Sequence, residues 1–460
     1  MDRERKQGRR EDGLVVLRPL VAGVDIASRE HWVAGPPKED GTANVRRFQT
    51  TSDELKAMVD WLEAQHVESV AMESTSVYWI ALYELLESRG IEAVLVNARD
   101  FHQALARPKT DKRDCQWLQR MHSCGLLRGS FRPSESIIPL RALERQRGNL
   151  IALRTRYIQW MQKSLDQMNV QVHHAVSDLS GTTGMAIVRA IVAGERRPEV
   201  LAELRDPRCK KSAAEIGKHL TGTWREEHLF TLASTLVMFD GNEAEIAKYE
   251  AEMARRMDAL RLKELETVSV PKHPKAAKEK ELRKHGGLEL RERLWRATGK
   301  DLTRIDGISA AAAQVIIAEL GMGADAFPDE RHFISWLRLC PPTRISGGKP
   351  LKTRRNGLSA NRISGVLRMA SRALARSKSA LGASFRRVSR TKGFSVAIFA
   401  TARKLAALVY RTLQFGHEYV DIGEQAAEAR FEARQLTALN SQAKAKGFAL
   451  VPLTSASTAT

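Results

Sequence analysis

The sequence predicts an α/β domain with a mixed sheet, followed by a longer, mostly helical region. Three observations carry that expectation. Short apolar runs of strand-like composition occupy the first hundred residues and alternate with helix-like segments. From Leu140 onward, apolar residues recur at three- and four-residue intervals instead. Between Arg331 and His417 there are nineteen Lys and Arg and no Asp or Glu, so nearly all of the formal net charge of +20 sits in one window. Ordinary solvated faces intersperse both signs. A face of a single sign attracts a polyanion, and released counterions supply much of the binding free energy. Nucleic acid is the expected partner; no lipidation signal or anchor favours an anionic membrane.

Taken in order, residues 20–34 read as two short strands joined by a turn, and residues 44–50 as a third. TSDELKAMVDWLEAQ, from Thr51, reads as a helix capped by Thr51 or Ser52. SVAMES (69–74) is a buried strand, VYWIALYELLESRG a helix stopped by Gly90, and IEAVLVNA a further strand. A helix is expected from Thr110 to about Leu127, with Gly125 near its end. Leu143, Leu150, Leu153, Tyr157 and Trp160 form a stripe interrupted at Gln146. The stripe fits a coiled coil or a buried bundle helix equally well. Residues 180–300 read as mostly helical, with KHPKAAKEK (272–280) as a basic linker. The last twenty-odd residues, rich in Ala, Ser and Thr, read as disordered.

A chain of 460 residues accommodates two to three domains. Cys115, Cys124, Cys209 and Cys340 are scattered, which suits reduced thiols better than a disulfide framework or a zinc site. The opening MDRERKQGRREDG has no apolar signal core, and no run approaches the roughly 18–20 apolar residues of a membrane span. A cytoplasmic location is expected.

Three constellations could carry chemistry. Asp25 lies within the apolar run GVDIA, Glu73 ends VAMES, and Asp111 and Asp114 share one face of a helix at i and i+3. Carboxylates at buried strand ends are costly unless paired or metal-bound. Four oxygen donors together suit Mg²⁺ or Mn²⁺, and two such ions stabilise attacking and leaving oxygens in phosphoryl transfer. Singly, each carboxylate could equally serve an ion pair or a helix dipole. The second constellation, DLTRIDGISAAAAQVIIAELG (301–321), has the tight turn and following helix of a helix-hairpin-helix, with Ser309 in place of the usual second glycine. The third, PPTRISGGKPLKTRRN (341–356), sets Ser346 before Gly347 and Gly348 among Arg344, Lys349, Lys352, Arg354 and Arg355. The glycines permit close backbone approach, the cations can hold phosphate, and the serine is a possible nucleophile. No activating base for it is evident in the sequence.

Together these segments resemble the DEDD-type transposases of the insertion-sequence-110 family, including its 1111 group. The resemblance runs from about Val21 to Val420. G-V-D-I-A supplies Asp25, M-E-S-T-S-V-Y supplies Glu73, and K-T-D-K-R-D supplies Asp111 and Asp114. I-D-G-I-S, L-R-L-C-P-P and R-I-S-G-G-K follow in order. Ser28-Arg29 stand where the family often has a lysine, and Ser76 where a glycine is usual; neither departure removes a carboxylate.

The resemblance implies a RuvC-like, RNase H-like domain over 20–135 after a disordered tail (1–19). It implies a helical coiled-coil segment over 136–298, a helical transposase domain over 299–422 and a C-terminal tail over 423–460. It further implies a composite site of the four acids and Ser346, a covalent serine–DNA intermediate, donor and target DNA, and guidance by a structured bridge RNA. Homodimers assembling to a tetramer are expected as well. A metal-dependent junction nuclease without covalent intermediate, and a non-catalytic nucleic-acid-binding protein, are the alternatives.

Overall fold

The computed structural model describes residues 15–74, 76–97, 110–209, 211–265, 267–284, 286–340, 345–346, 349–350 and 361–451. The chain divides into two compact units, Met1–Arg132 and Pro133–Thr460.

The first unit is built on a five-stranded sheet. Strands β1 (Val21–Ile26), β2 (Glu30–Ala34) and β3 (Val45–Gln49) form an antiparallel meander. Helix α1 (Ser52–Glu63) leads to β4 (Ser69–Glu73), and α2 (Ile80–Ser88) to β5 (Glu92–Val96). The strand order is β3-β2-β1-β4-β5, with β4 parallel to both neighbours. Parallel pairs need crossover connections, and α1 and α2 supply them. One face of the sheet buries Ala22, Val24, Ile26, Val70 and Met72 against Met58, Leu62, Leu82 and Leu86 of those two helices. Helix α3 (Asp111–Ser123) packs on β1, β2 and β4. This is the mixed-sheet architecture expected of an RNase H-like domain.

Several boundaries differ from the sequence reading. Helix α2 starts at Ile80 because residues 76–79 form a turn, with Ser76 at φ 53. Helix α3 stops at Ser123, short of Leu127, where Gly125 takes φ 69. Thr51 is the N-cap of α1, yet its side chain makes no capping hydrogen bond. The expected N-terminal tail is too long: the Leu17 and Arg18 amides both donate to the Ser123 carbonyl, and Arg18 pairs with Glu92 at 2.5 Å.

The second unit is helical. Helix α4 (Ile138–Gln167) is followed by the short helices α5 (Val172–Ala175), α6 (Thr182–Val192), α7 (Pro198–Glu203) and α8 (Ala213–Gly217). Helix α9 (Glu226–Ala259) then returns along α4. Asn242 donates to the Leu150 carbonyl at 3.1 Å, and Arg147 pairs with Glu250 at 2.7 Å, so the two run antiparallel. The stripe on α4 is only partly covered: Trp160 keeps 48 % of its surface and Leu153 36 %.

The proposed basic linker is packed structure. Its second half begins α10 (Ala276–Lys284), followed by α11 (Gly287–Thr298). His273 is buried, and Lys275 bonds Asp306 at 2.5 Å and Asp421 at 2.9 Å. The remainder comprises α12 (Ala310–Leu320), α13 (Glu330–Trp336), the two-residue strands β6 (Ile345–Ser346) and β7 (Lys349–Pro350), then α14 (Arg362–Ala373), α15 (Ala380–Lys392) and α16 (Phe394–Phe415). A last helix, α17 (Gly423–Ala445), occupies much of the span expected to be a tail and reaches into the stretch expected to be disordered. Among the described residues no helix is long and apolar enough to cross a membrane.

Candidate active site

The four carboxylates are positioned by strand alternation and by one close contact. Successive strand residues face opposite sides of a sheet. Ala22, Val24 and Ile26 face the core under α1 and α2, so Gly23 and Asp25 face α3. On β4, Val70 and Met72 take the core side, which leaves Ala71 and Glu73 toward α3, and Ala71 packs with Leu118 of that helix. The parallel register pairs Gly23 with Ala71 and Val24 with Met72. One step further along sets Asp25 beside Glu73, on strands about 4.8 Å apart.

Gly23 is the residue that lets α3 lie down on this face. A Cβ there would meet the Gln119 amide nitrogen at 2.3 Å and the Cys115 carbonyl oxygen at 2.5 Å. The direction of α3 follows from two bonds at the other end. Gln119 Nε2 donates to the Val21 carbonyl at 3.4 Å, and Ser69 Oγ lies 2.8 Å from His122 Nε2. Val21 and Ser69 begin their strands, so the helix runs antiparallel to them. Its first turn, with Asp111 and Asp114, therefore lies at the end where Asp25 and Glu73 sit. Carboxylates in a first turn are also favoured by the helix dipole.

Electrostatics agree with this convergence. Burial, joined by the negative charges of Asp25 and Asp114, pushes the Cys115 thiol up to about 12. Two carboxylates from different elements thus act on one buried sulfur. Asp25, Glu73 and Asp114 are half-buried, and Asp111 is exposed. Among the described residues, no three His, Cys, Asp or Glu side chains are already close enough to hold a metal ion. The donor set itself, four carboxylates reachable by solvent at one end of a sheet, suits hard oxygen-seeking divalent cations.

In the second unit, Ser346 pairs through its backbone with Lys349 across the β6–β7 bridge. Arg344, Gly347, Gly348, Lys352, Arg354 and Arg355 lie outside the described residues. The 301–321 segment forms a 3₁₀ turn at Leu302–Arg304, a tight turn with Gly307 at φ 88, and then α12. Ser309, which replaced the expected glycine, is the N-cap of α12 and accepts from the Ala312 amide at 3.1 Å. Gly307 also sits where a Cβ would press on the Ala370 carbonyl at 3.1 Å.

Two family models match the chain. Residues 22–170 match the DEDD model of IS110 type, described as Transposase. Residues 299–386 match the model described as Transposase IS116/IS110/IS902 family. Together they cover more than half of the sequence. The chain belongs to the IS110 family of DEDD transposases. No curated protein matches it. The transposase is accordingly a DNA-acting enzyme of mobile elements, and divalent-metal dependence is general to its DEDD class. The four carboxylates fall inside the first matched region and Ser346 inside the second.

Sequence reasoning missed two supports of the transposase's architecture. Gly23 carries a signal that was present, a glycine two residues before a strand acid and hence on the same face. A buried network around Glu319 carries none: Arg141 and Arg145 hold this carboxylate at 2.8 Å, from positions more than 170 residues away.

Proposed function

We propose that this transposase cuts and rejoins DNA through a covalent bond to Ser346, with Mg²⁺ or Mn²⁺ held by Asp25, Glu73, Asp111 and Asp114. The metal assignment is supported by the parallel register of β1 and β4, which pairs Val24 with Met72 immediately before Asp25 and Glu73, and by the acidic first turn of α3 at the same end of the sheet. When bound, the ions supply positive charge that lowers the cost of ionising a hydroxyl and offsets charge on the reacting phosphate.

The rest is chemistry of the chain. The Ser346 hydroxyl loses its proton and its Oγ bonds to phosphorus, while the bond from phosphorus to a deoxyribose oxygen breaks and that oxygen leaves as a hydroxyl. The phosphoserine retains the energy of the broken diester, so no ATP is consumed. Attack by a hydroxyl from the exchanged strand breaks the serine bond and restores the side chain. Arg344, Lys349, Lys352, Arg354 and Arg355 are assigned to phosphate contacts, with Gly347 and Gly348 admitting the backbone.

Guidance by a structured RNA and assembly of homodimers into a tetramer complete the proposal. Self-association is supported by Trp160 and Leu153 on α4 and by Phe230 and Val237 on α9, which stay 75 % and 74 % exposed. Exposed apolar side chains on both helices of a hairpin suit a second copy.

The test is Ser346→Ala against Asp25→Asn and Glu73→Gln, resolved on denaturing gels. The proposal expects all three to lose strand cleavage, nucleic-acid binding to survive, and the wild type to show a protein–DNA adduct. Full cleavage by Ser346→Ala, or cleavage with no adduct, returns the serine to a bystander role and leaves a metal-dependent nuclease. Discrete co-purifying RNA encoded beside the gene supports guidance; a heterogeneous mixture removes it.

A further inference from the structure

Helix α17 lies beyond both matched regions and packs on α15. Between α15, α16 and α17 the fold leaves a cavity of about 520 Å³, lined by Arg387, Lys404, Arg411, Arg430, Phe431 and Arg434 among others. That volume falls within the range of ordinary small-ligand sites, roughly 300–1,000 Å³.

Two of the five cations are already neutralised. Arg387 pairs with Glu428 at 2.7 Å and Arg411 with Glu330 at 2.7 Å. Lys404, Arg430 and Arg434 meet no carboxylate among the described residues. The Lys404 ammonium instead donates to Ser384 Oγ at 2.5 Å. Surrounding protein and the nearby Arg387 hold its pKa below the ordinary lysine value, although the side chain as a whole is open to solvent. Arg387 is fixed in turn over the Phe431 ring, 3.6 Å from its centroid. A fold that gathers like charges around one cavity carries a repulsion that a bound anion relieves.

We propose that this cavity is a second nucleic-acid contact, in which Lys404, Arg430 and Arg434 seat backbone phosphate of a strand bound by the transposase. Apolar and aromatic walls beside a cationic rim are how proteins hold single-stranded or locally opened nucleic acid. The inference requires only that the protein binds nucleic acid. It does not depend on Ser346 or the carboxylates, and binding can be measured without cleavage.

The experiment compares the full-length wild type with Lys404→Ala/Arg430→Ala/Arg434→Ala by fluorescence anisotropy, over roughly 50–200 mM salt. Duplex DNA, single-stranded DNA and a structured RNA are the three probes. Each phosphate contact contributes about 0.7–0.9 to the slope of log K against log salt. The triple variant should be shallower by about 1 or more on at least one probe. A charge-matched control, Lys56→Ala/Lys218→Ala/Lys263→Ala, should keep the wild-type slope. The probe that responds identifies the strand, and a response on DNA or RNA alike supports the site. Arg434→Glu, on an exposed turn of α17, should act in the same direction and keeps the test open if the triple variant melts early. Unchanged slopes on all three probes, or an equal change in the control, overturn the proposal.

Discussion

Replacing Gly23 by alanine tests whether the seating of α3 on β1 positions the four carboxylates proposed to hold metal. The added Cβ would stand 2.3 Å from the Gln119 nitrogen, 2.5 Å from the Cys115 oxygen and 2.8 Å from Leu118 Cβ. Two of those atoms are helix backbone, so no side chain can swing away to relieve them. Opening the shortest gap to ordinary contact near 3.4 Å moves α3 off the sheet by about 1 Å. Overpacking of this kind costs about 1–3 kcal/mol. There is a chemical cost as well, because Asp111 and Asp114 travel with α3 while Asp25 and Glu73 stay with the sheet. A displacement of about 1 Å in a reacting constellation is worth about 10²-fold in rate. Gly23→Ala should therefore retain a cooperative melt, lowered by several degrees, and lose about two orders of magnitude in strand cleavage. Binding of DNA should change little. Wild-type cleavage together with a lowered melting temperature would show that the spacing of α3 from β1 does not set the carboxylate geometry.

Three further outcomes follow from buried charge. His122 is buried and its pKa is lowered to about 4, chiefly by burial and secondarily by Arg18. The unfolded chain takes up a proton near pH 6.5 that the folded chain resists until about 4. His122 thus favours folding above pH 6.5, and that contribution fades as pH falls through this window, by up to about 3 kcal/mol. His122→Gln should flatten the dependence of melting temperature on pH between about 6.5 and 4. Glu319→Ala should destabilise the helical unit by less than the roughly 3–5 kcal/mol of a fully buried pair, since it leaves Arg141 without its carboxylate while Arg145, 46 % exposed, stays partly solvated; denaturant titration reads this directly. Lys275→Met leaves Asp306 and Asp421 facing each other without their shared cation. Its cost should fall below the roughly 3–5 kcal/mol of a fully buried pair, because Lys275 is 38 % exposed, and it should shrink in acid.

The parts of this fold that were legible in sequence are those set by near neighbours. The apolar runs VAGVDI and SVAME, and the break at Gly90, depend on residues within one element. That is why the order of elements and the strand-end position of Glu73 could be read, whereas Asp25, expected in the middle of its strand, lies one residue before the end of β1. What could not be read depends on distant partners. Lys275 looked like part of a solvated linker because Asp421, which holds it, is 146 positions away. Arg145 and Glu319 are 174 apart, and neither differs in type from a surface charge. The course of α3 along β1 is intermediate: the acids on its first turn were visible, but its direction rests on Gln119 and His122 reaching the far ends of β1 and β4.

The acid-free window shows the same limit from the side of function. Its cations are not uniformly bare, because carboxylates just outside the window fold back onto it. Glu330 takes Arg411, Glu424 takes Arg386, Glu428 takes Arg387, and Glu319 approaches Arg362 at 3.8 Å. A count along the sequence therefore overstates the free positive charge wherever flanking acids return, and locates it correctly only where they do not. Lys404 belongs to the second class although it lines the same cavity as Arg387 and Arg411, which belong to the first. Polyanion attraction should then be patchy rather than spread over the window. Single substitutions of Arg386, Arg387 or Arg411 should weaken nucleic-acid binding less than the same change at Lys404, because guanidiniums already held by a carboxylate are less available to contact phosphate directly. Equal losses at all four positions would mean that the ion pairs open when nucleic acid binds, and that the sequence window describes the bound surface better than the folded chain does.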